Sequence, residues 1–260
     1  MKNALLVPGV FFVSFFGALI AFSILGGLVL RYDVSIEGAA SAGFLLLCIA
    51  QKVCSVLPLA LILATIGVYA FLMRHRTKLS VAVSLFAVCA VFTITVIMPA
   101  CYAQTASVKD AMSGFRTHPS ADAALKGFLD KPFFITTLVQ AVETLSYDIY
   151  TAYAASFAKY LLLIGAVFFC ISSFWSMCTA TRWNLLNLLL LFLVSGAFLL
   201  LYISMQHTVF QTILHNLHLD ARQNVQGIPI TLVVVAVCFH CAGGLHALLQ
   251  TLKQQKRSAE

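Results

Sequence analysis

The chain has 260 residues, of which 61% are hydrophobic and only 10% are charged, so it is far more apolar than a soluble globular domain. Its net charge is +7, yet the basic residues lie between apolar runs and form no single basic face with interleaved aromatics, which argues against nucleic acid as a partner. The eight cysteines do not indicate a disulfide framework, because that inference applies to small secreted chains and most of these cysteines lie within apolar runs.

Six apolar runs are long enough to cross a bilayer, since a spanning helix needs about 20 mostly apolar residues. In chain order they comprise residues 4–30, 53–73, 79–99, 160–180, 185–205 and 228–249. The first run is too long for the core of a signal peptide and no convincing cleavage site follows it, so we predict an uncleaved helix. No alternating strand pattern or internal repeat is visible. The sequence therefore predicts one all-α membrane domain over residues 1–260 with six transmembrane helices.

The second apolar stretch begins near Ser41, and a helix from there to residue 73 would be roughly 50 Å long at about 1.5 Å per residue. That length exceeds the hydrocarbon core, which is about 30 Å thick. Gln51 and Lys52 are predicted to mark the membrane boundary. Residues 39–50 would then lie along the surface, pack on neighbouring helices or extend the helix beyond the bilayer. The amine of Lys52 is expected to reach the interface, with a functional buried charge as the alternative.

The positions of lysine and arginine predict that both the N- and the C-terminus are cytoplasmic. The short segments on that side then hold the basic residues Lys2, Arg74, Arg76, Lys78, Arg182, Lys253, Lys256 and Arg257. Only Glu260 opposes them there. Because short loops rich in lysine and arginine stay cytoplasmic, the cluster of Arg74, Arg76 and Lys78 is predicted to face the cytoplasm. The predicted location is a bacterial cytoplasmic (inner) membrane.

Three segments are predicted to lie outside. They are residues 31–40, the connection 101–159 between spans 3 and 4, and the loop 206–227 between spans 5 and 6. The first part of the connection is polar and broken by glycine and proline, which indicates loop and short helix. Apolar residues then recur at every third or fourth position from Ile135 to Ile149. This spacing predicts an amphipathic helix over residues 133–158 that rests on the bilayer surface.

The stretch "VCFHCAG" from Val237 places a histidine between two cysteines that stand three apart. On a helix Cys238 and Cys241 share a face, but His240 and His246 point elsewhere, so the helix offers no common focus for the four ligands of a structural zinc site. We predict that both cysteines pack against another helix, together with the small residues Ala242, Gly243 and Gly244. The alternatives are a thiol relay or a metal site that other helices complete.

His240 is predicted to lie in the middle of a span, where an ionisable side chain is a functional hypothesis by default. A neutral imidazole that bonds to a hydroxyl of a neighbouring helix would also satisfy it, and this structural role is our expectation. The candidate hydroxyls belong to Ser172, Ser173, Thr93 and Thr95.

Three further histidines, His207, His215 and His218, fall within an arc of about 80° if their segment is helical. Apolar residues occupy another face of that segment. It is therefore predicted to form an interfacial amphipathic helix over residues 206–224 with the histidines at its wet edge. Metal binding or pH sensing by these histidines is the alternative.

Motifs that would indicate an enzyme are missing. The sequence contains no GxxxxGK[ST], HExxH or GxSxG. Apart from Lys52, which lies at a span boundary, no predicted span contains Asp, Glu, Lys or Arg. The acidic relays and ion sites of coupled transporters are therefore not expected. Glu143 and Asp148 diverge by about 140° on a helix, and solvated charge is their expected role. We therefore predict a non-catalytic protein, with no catalytic residue and no cofactor.

Three apolar stretches have distinctive sequences. The second span, "VCSVLPLALILATIGVYAFLMR" from Val53, contains a Leu-Pro-Leu-Ala-Leu run, the stretch "RWNLLNLLLLF" begins at Arg182, and "GIPITLVV" begins at Gly227. They resemble the second span, the entry to the fifth span and the opening of the sixth span of the lipopolysaccharide-export permease family of the YjgP/YjgQ type. The resemblance implies six spans with both termini cytoplasmic, and paired subunits that form a laterally open cavity for a lipid.

Two parts of the family pattern are missing. Family members carry a cytoplasmic coupling helix after the second span that docks on an ATPase, whereas only "RHRTK" separates the second and third spans here. They also place a β-jellyroll outside, for which residues 101–159 are too short and too helical. The resemblance thus implies a reduced or divergent member. Its implied partners are membrane lipids, another six-helix subunit and an ATPase, whose docking the missing helix puts in doubt.

Three functions remain open from the sequence. The first is a permease-like subunit that assists transport of a lipid or other amphiphile, for which the small-residue pairs Gly17 with Ala21 and Cys238 with Ala242 would provide helix contacts. The second is an assembly or scaffold protein that binds a partner through the helices predicted over 133–158 and 206–224. The third is a membrane redox or metal protein that uses the pair of cysteines around His240.

Overall fold

The computed structural model describes residues 3–37, 42–75, 78–104, 133–204 and 227–259. Over these ranges the chain is helical and has no strand, which confirms the all-α prediction for them. The helices are α1 (Val7–Glu37), α2 (Ala42–Arg74), α3 (Leu79–Phe92, continued by the π-helical turn Thr93–Ile97 and by Met98–Gln104), α4 (Phe133–Ala155), α5 (Phe157–Ser173, continued by the 3₁₀ turn Phe174–Thr179), α6 (Asn184–Ser204) and α7 (Gly227–Ala259). A short 3₁₀ turn, Ala4–Leu6, precedes α1.

Five of the described helices have stretches long and apolar enough to cross a membrane, and each coincides with a predicted span. These stretches are Ala4–Ile24, Val53–Arg74, Leu79–Ala103, Phe157–Cys178 and Asn184–Ser204. The sixth predicted span falls on α7, whose apolar part over the described residues, Ile228–Gly244, is shorter. α2 is one continuous helix from Ala42. Of the three placements predicted for residues 39–50, the described residues 42–50 therefore extend the helix.

The surface of the bundle is apolar. Four helices each expose a stripe of large hydrophobic side chains, namely Val13, Phe16 and Ile20 on α1, Val88, Val91 and Phe92 on α3, Leu189, Phe192 and Leu193 on α6, and Val233, Val234 and Val237 on α7. Soluble monomers rarely expose contiguous apolar patches larger than a few hundred Å². Stripes of this kind along helices of spanning length suit contact with lipid chains, and the chain is accordingly an integral membrane protein.

α2 is the most buried of the five spans, with more than half of its apolar stretch inside the bundle. α1 packs along it and approaches closely at Gly67, where a Cβ atom would lie 2.5 Å from Ser14 Oγ. The small-residue pair predicted on α1, Gly17 with Ala21, is instead exposed, and a Cβ on Gly17 would meet nothing within 4 Å. The prediction that this pair forms a packing stripe is wrong within the described chain, because α1 turns a different face towards α2.

α4 packs against α2, α5 and α6 at one end of the bundle, which we call the α4 end. Its buried face recurs every fourth residue, at Ala141, Leu145 and Ile149, and confirms the predicted amphipathic helix. The expectation that this helix rests on the bilayer surface is wrong, because protein covers its apolar face. At Ser156 the backbone becomes extended, and the Ser156 hydroxyl accepts a hydrogen bond from the Lys159 N–H at 3.2 Å, which caps the start of α5.

The opposite end of the bundle contains the corner between α5 and α6, which the side chain of Asn187 holds together. Asn187 is buried, and its Oδ1 accepts hydrogen bonds from the Thr181 N–H at 2.9 Å and the Thr181 hydroxyl at 2.7 Å. Its Nδ2 donates to the carbonyls of Cys178 at 2.8 Å and Thr181 at 2.9 Å. One amide thus satisfies backbone groups that the end of the 3₁₀ turn leaves without helical partners.

Candidate functional site

Two of the spanning helices contain a proline at the α4 end: Pro58 lies inside the continuous helix α2, and Pro99 follows the π-helical turn of α3. In an α-helix the N–H of each residue bonds to the carbonyl four residues earlier. Proline has no N–H, and its ring crowds that carbonyl, here of Cys54 and Thr95. In lipid no water can satisfy the freed groups, so neighbouring side chains or local changes of helical geometry have to do so.

α3 adapts to Pro99 with its π-helical turn. The N–H of Met98 bonds to the carbonyl of Thr93, five residues earlier. In this register the helical donor for Ile94 would be residue 99, which is a proline. The hydroxyl of Tyr160 on α5 donates to the Ile94 carbonyl instead, at 2.7 Å. A tyrosine of one helix thereby completes the backbone of another.

α2 and α4 meet beside Pro58. The hydroxyl of Ser146 on α4 lies 2.5 Å from the carbonyl oxygen of Ser55 and 2.7 Å from that of Val142, so it donates its proton to this pair of carbonyls. Nearby, the Cys54 thiol donates to the Cys101 carbonyl at 3.9 Å, which joins α2 to α3. The part of α2 just before Pro58 is thus hydrogen-bonded to both α3 and α4.

Four tyrosines form what we call the tyrosine cluster: Tyr102, Tyr150, Tyr153 and Tyr160. Tyr102, which is fully buried, has ring centroids 5.8 Å from Tyr150, 5.4 Å from Tyr153 and 6.2 Å from Tyr160. Most of these pairs are edge-to-face or tilted, as aromatic quadrupoles prefer. The Tyr153 hydroxyl also donates to the Pro99 carbonyl at 3.4 Å. Burial, with a smaller contribution from Cys54, raises the pKa of the Tyr150 phenol, which therefore stays protonated at neutral pH.

Asp148 on α4 lies half-buried at the same end, and its carboxylate accepts a hydrogen bond of 2.8 Å from the hydroxyl of Tyr202 on α6. Tyr202 is itself fully buried. The expectation that Asp148 is a solvated charge is therefore wrong, because the carboxylate holds α4 to α6. Glu143 on the same helix is exposed. The two carboxylates differ in their surroundings and do not form the convergent pair that acid–base catalysis requires.

Polar tips and apolar rings alternate throughout the α4 end. The hydroxyls of Tyr160, Tyr153 and Ser146 contact carbonyls of α3 and α2, while the tyrosine rings fill the space between the helices. Tyrosine is the side chain that suits a boundary with one apolar and one wet side.

The cysteine and histidine residues singled out in the sequence lie elsewhere, on α7. Cys238 and Cys241 are exposed, so the prediction that they pack against another helix is wrong. The small residue of α7 that packs against the neighbouring helix is instead Gly243, where a Cβ atom would lie 2.7 Å from the Cβ of Ser176. The cysteines project from α7 at different angles from this glycine and face away from the protein. The small pair Cys238 with Ala242 is exposed for the same reason.

His240 is also exposed, and its ring contacts Phe169 of α5 with a centroid distance of 5.3 Å. The predicted hydrogen bond of His240 to one of the four candidate hydroxyls does not form among the described residues, and all four hydroxyls donate to carbonyls of their own helices. Those of Ser172 and Ser173 donate to Phe169 and Cys170, and those of Thr93 and Thr95 donate to Cys89 and Val91.

The remaining predicted residues lie at the opposite end or outside the described part. Arg74 and Lys78 are exposed where α2 meets α3, while Arg76 lies outside the described residues. His207, His215 and His218, with the helix predicted over 206–224, also lie outside them. Among the residues that were placed, no three His, Cys, Asp or Glu side chains come together as metal ligands would.

Comparisons with known proteins place no relative beside this chain. No family model matches the sequence. No curated protein matches it, and no solved structure matches the fold. The geometry of the α4 end is therefore the basis on which a function is assigned.

Sequence reasoning missed the tyrosine cluster and the prolines that lie inside two of the spanning helices. The signal was present: four tyrosines occur within "YDIYTAYAASFAKY" from Tyr147, and Pro58 and Pro99 both lie in or beside apolar runs. The third span is predicted to end at Pro99, whereas the helix continues to Gln104. That prediction is wrong because the π-helical turn and Tyr160 compensate for the missing N–H.

Proposed function

We propose that this chain is a non-catalytic, permease-like subunit that assists the movement of a lipid or other amphiphile across or out of a bacterial inner membrane. It would span the membrane six times, with α7 as the sixth span and both termini in the cytoplasm. The single observation that carries the proposal is that two proline-containing helices, α2 and α3, meet the tyrosine cluster at the α4 end.

Transporters commonly place their binding sites at irregular helix segments, here the π-helical turn before Pro99, because irregular backbone at membrane depth is tolerated only where protein or a cavity surrounds it. The half-buried ring of Tyr153 would offer its exposed part to an acyl chain, while its hydroxyl stays bonded to the Pro99 carbonyl. Asp148 is a charged group within the described contacts of this end, and its carboxylate accepts the hydrogen bond from Tyr202. An amphiphile with a weakly charged or neutral head suits such surroundings better than a small ion.

The distribution of basic residues between the two ends of the bundle supports the proposed orientation in the membrane. Arg74, Lys78 and Arg182 are all exposed, and each lies at a helix junction opposite the α4 end. The ring of Tyr69 contacts that of Trp175 at 5.1 Å, which places the ends of α2 and α5 together there. Basic residues in short loops favour the cytoplasmic side. The α4 end would then face outwards.

The proposed partners follow from the resemblance to the lipopolysaccharide-export permeases. They are a second six-helix subunit and an ATPase that supplies the energy. The short connection between α2 and α3 has no room for the coupling helix of that family, so ATPase contact in this chain would use the basic cluster of Arg74, Arg76 and Lys78 or a subunit that carries the coupling helix itself.

Extraction into lipid nanodiscs without detergent exchange, followed by mass spectrometry of bound lipids and proteins, tests the proposal. We expect one amphiphile class to be enriched over the bulk membrane. The Tyr153→Leu variant, which removes a half-buried ring of the tyrosine cluster, is expected to lower this enrichment about fivefold, the equivalent of about 1 kcal/mol of ring contact.

The matched control is Phe12→Leu, which removes a half-buried ring at the opposite end and is expected to leave the enrichment unchanged. Recovery of bulk lipid alone, with the same profile in both variants and the wild type, would contradict the proposal. Co-purification of a partner protein without an enriched amphiphile would favour the scaffold function instead.

A further inference from the structure

Helix α3 has two ways to accommodate Pro99, and each leaves one carbonyl without a helical donor. In the π-helical register, Met98 bonds to Thr93, and the Ile94 carbonyl is left. In a regular α-helix, Met98 would bond to Ile94, and the carbonyl of Thr95 would be left, since its donor would be Pro99. The number of helical bonds lost to proline is thus the same in both registers.

Tyr160 stabilises one of the two registers over the other. Its hydroxyl donates to the Ile94 carbonyl at 2.7 Å, so the carbonyl left over in the π-helical register is satisfied. The side chain of Thr95 is exposed on the outer surface of the bundle, where lipid offers its carbonyl no donor. A regular α-helix is otherwise the more common geometry, and π-helical turns are rare.

We propose that α3 is a two-register helix and that Tyr160 is the positioning residue that selects the π-helical register. Loss of the Tyr160 contact would let the segment Met98–Gln104 rotate by about 100° and advance by about 1.5 Å, one residue of an α-helix. The inference does not rest on transport of any cargo, because it concerns the register of this helix alone.

The rotation would change what the outer segment of α3 presents to the bundle. Each residue would take the place now held by its successor. Met98 and Tyr102 are fully buried, whereas Pro99 is half-buried and Ala103 is exposed. The Tyr102 ring would therefore leave the centre of the tyrosine cluster, and the α4 end would lose its main aromatic contact. A single hydrogen bond between α5 and α3 controls this rearrangement.

Two threonines make the helix easier to deform at this point. The hydroxyls of Thr93 and Thr95 both donate to carbonyls four residues earlier, those of Cys89 at 2.9 Å and Val91 at 2.8 Å. Such bonds bend helices. They lie immediately before Pro99, where the two registers diverge.

Cys54 on α2 provides a reporter for the register, because its sulfur lies 3.9 Å from the backbone carbonyl oxygen of Cys101. In the regular register residue 100 would occupy this place. The test crosslinks Cys54 with a short bifunctional thiol reagent in two versions of the chain. One is the native chain, and the other carries Cys101→Ala together with Ala100→Cys. Mass spectrometry gives the ratio of links from Cys54 to position 101 and to position 100.

The wild type is expected to link chiefly to position 101. Tyr160→Phe is expected to shift the ratio towards position 100 about tenfold, since a buried hydrogen bond of about 1.4 kcal/mol corresponds to one factor of ten. Pro99→Ala supplies an N–H to Ile94 in the π-helical register and to Thr95 in the regular one, so neither register needs Tyr160, and the more common α-helical register, detected at position 100, should prevail. The control Tyr150→Phe removes a hydroxyl from the same cluster and should leave the ratio unchanged.

A double substitution keeps the test informative if Tyr160→Phe folds poorly. In the Pro99→Ala background every carbonyl of the regular register has a donor, so adding Tyr160→Phe should cost no further thermal stability and leave the link at position 100. Equal ratios in Tyr160→Phe and Tyr150→Phe, or continued linkage at position 101 in Pro99→Ala, would overturn the inference. So would a double variant that folds no better than Tyr160→Phe alone.

Discussion

The Asn187→Leu variant is expected to lose more than about 3 kcal/mol of stability. Leucine has the same number of side-chain heavy atoms, branched at the same carbon, but forms none of the four hydrogen bonds of the amide. The carbonyls of Cys178 and Thr181 and the N–H of Thr181 would be left unsatisfied, at about 1–3 kcal/mol for each buried group. The loss of stability is measured by thermal unfolding in detergent. The signal is the fluorescence of Trp175 and Trp183, which flank the corner.

The matched control is Asn184→Leu, on an exposed position one turn earlier in the same helix, and it is expected to leave the unfolding temperature unchanged. Asn187→Asp keeps both acceptor contacts but replaces the donor Nδ2 by a carboxylate oxygen that faces the carbonyls of Cys178 and Thr181, so it should also lose stability relative to the wild type. Equal unfolding temperatures for Asn187→Leu and Asn184→Leu would show that the amide does not hold the corner between α5 and α6.

The Tyr202→Phe variant is expected to loosen α4 from α6. It removes the 2.8 Å hydrogen bond to the Asp148 carboxylate, and bonds to charged groups contribute about 1.5–3 kcal/mol. Hydrogen exchange should show this as faster exchange of the backbone amides of Phe133–Ala155, with little change in α2. The effect is local because the ring of Tyr202 stays in place and only the hydroxyl is lost.

Tyr150→Phe serves as the control, since the Tyr150 ring packs on Tyr102 and its loss of a hydroxyl leaves the contact between α4 and α6 intact. Asp148→Asn retains an acceptor for Tyr202 and should lose less stability than Tyr202→Phe. Combining the two substitutions should add little to Tyr202→Phe alone, because both act on one bond. Fully additive losses would mean that Tyr202 and Asp148 stabilise the protein separately.

The spanning helices were predictable from the sequence because lipid demands long apolar runs and satisfied backbones, and both conditions are visible in a single chain. The run from Val53 and the run from Leu79 are examples, and the structure places helices on both. The amphipathic spacing of α4 was equally visible. Its partner was not, because spacing shows that a face is apolar but not whether lipid or protein covers it.

The candidate site was largely unpredictable for a different reason. Its main contact joins Tyr160 to the carbonyl of Ile94, which lies 66 positions earlier in the sequence, and such long-range pairs leave no local pattern. Pro99 indicated a helix end because proline usually ends helices. For Cys238 and Cys241, the error came from judging the helix by itself, since small residues also face lipid when the neighbouring helix packs at Gly243.

Labelling from one side of the membrane tests the central claim, that a helical bundle crosses the membrane with its basic end inside and its α4 end outside. Single cysteines at exposed positions of the otherwise cysteine-free chain, His75→Cys beside α2 and Gln140→Cys on α4, are treated with an impermeant maleimide in sealed spheroplasts. The account predicts that position 140 is labelled at once and position 75 only after lysis. Labelling of position 75 in sealed spheroplasts, with position 140 protected, would contradict it.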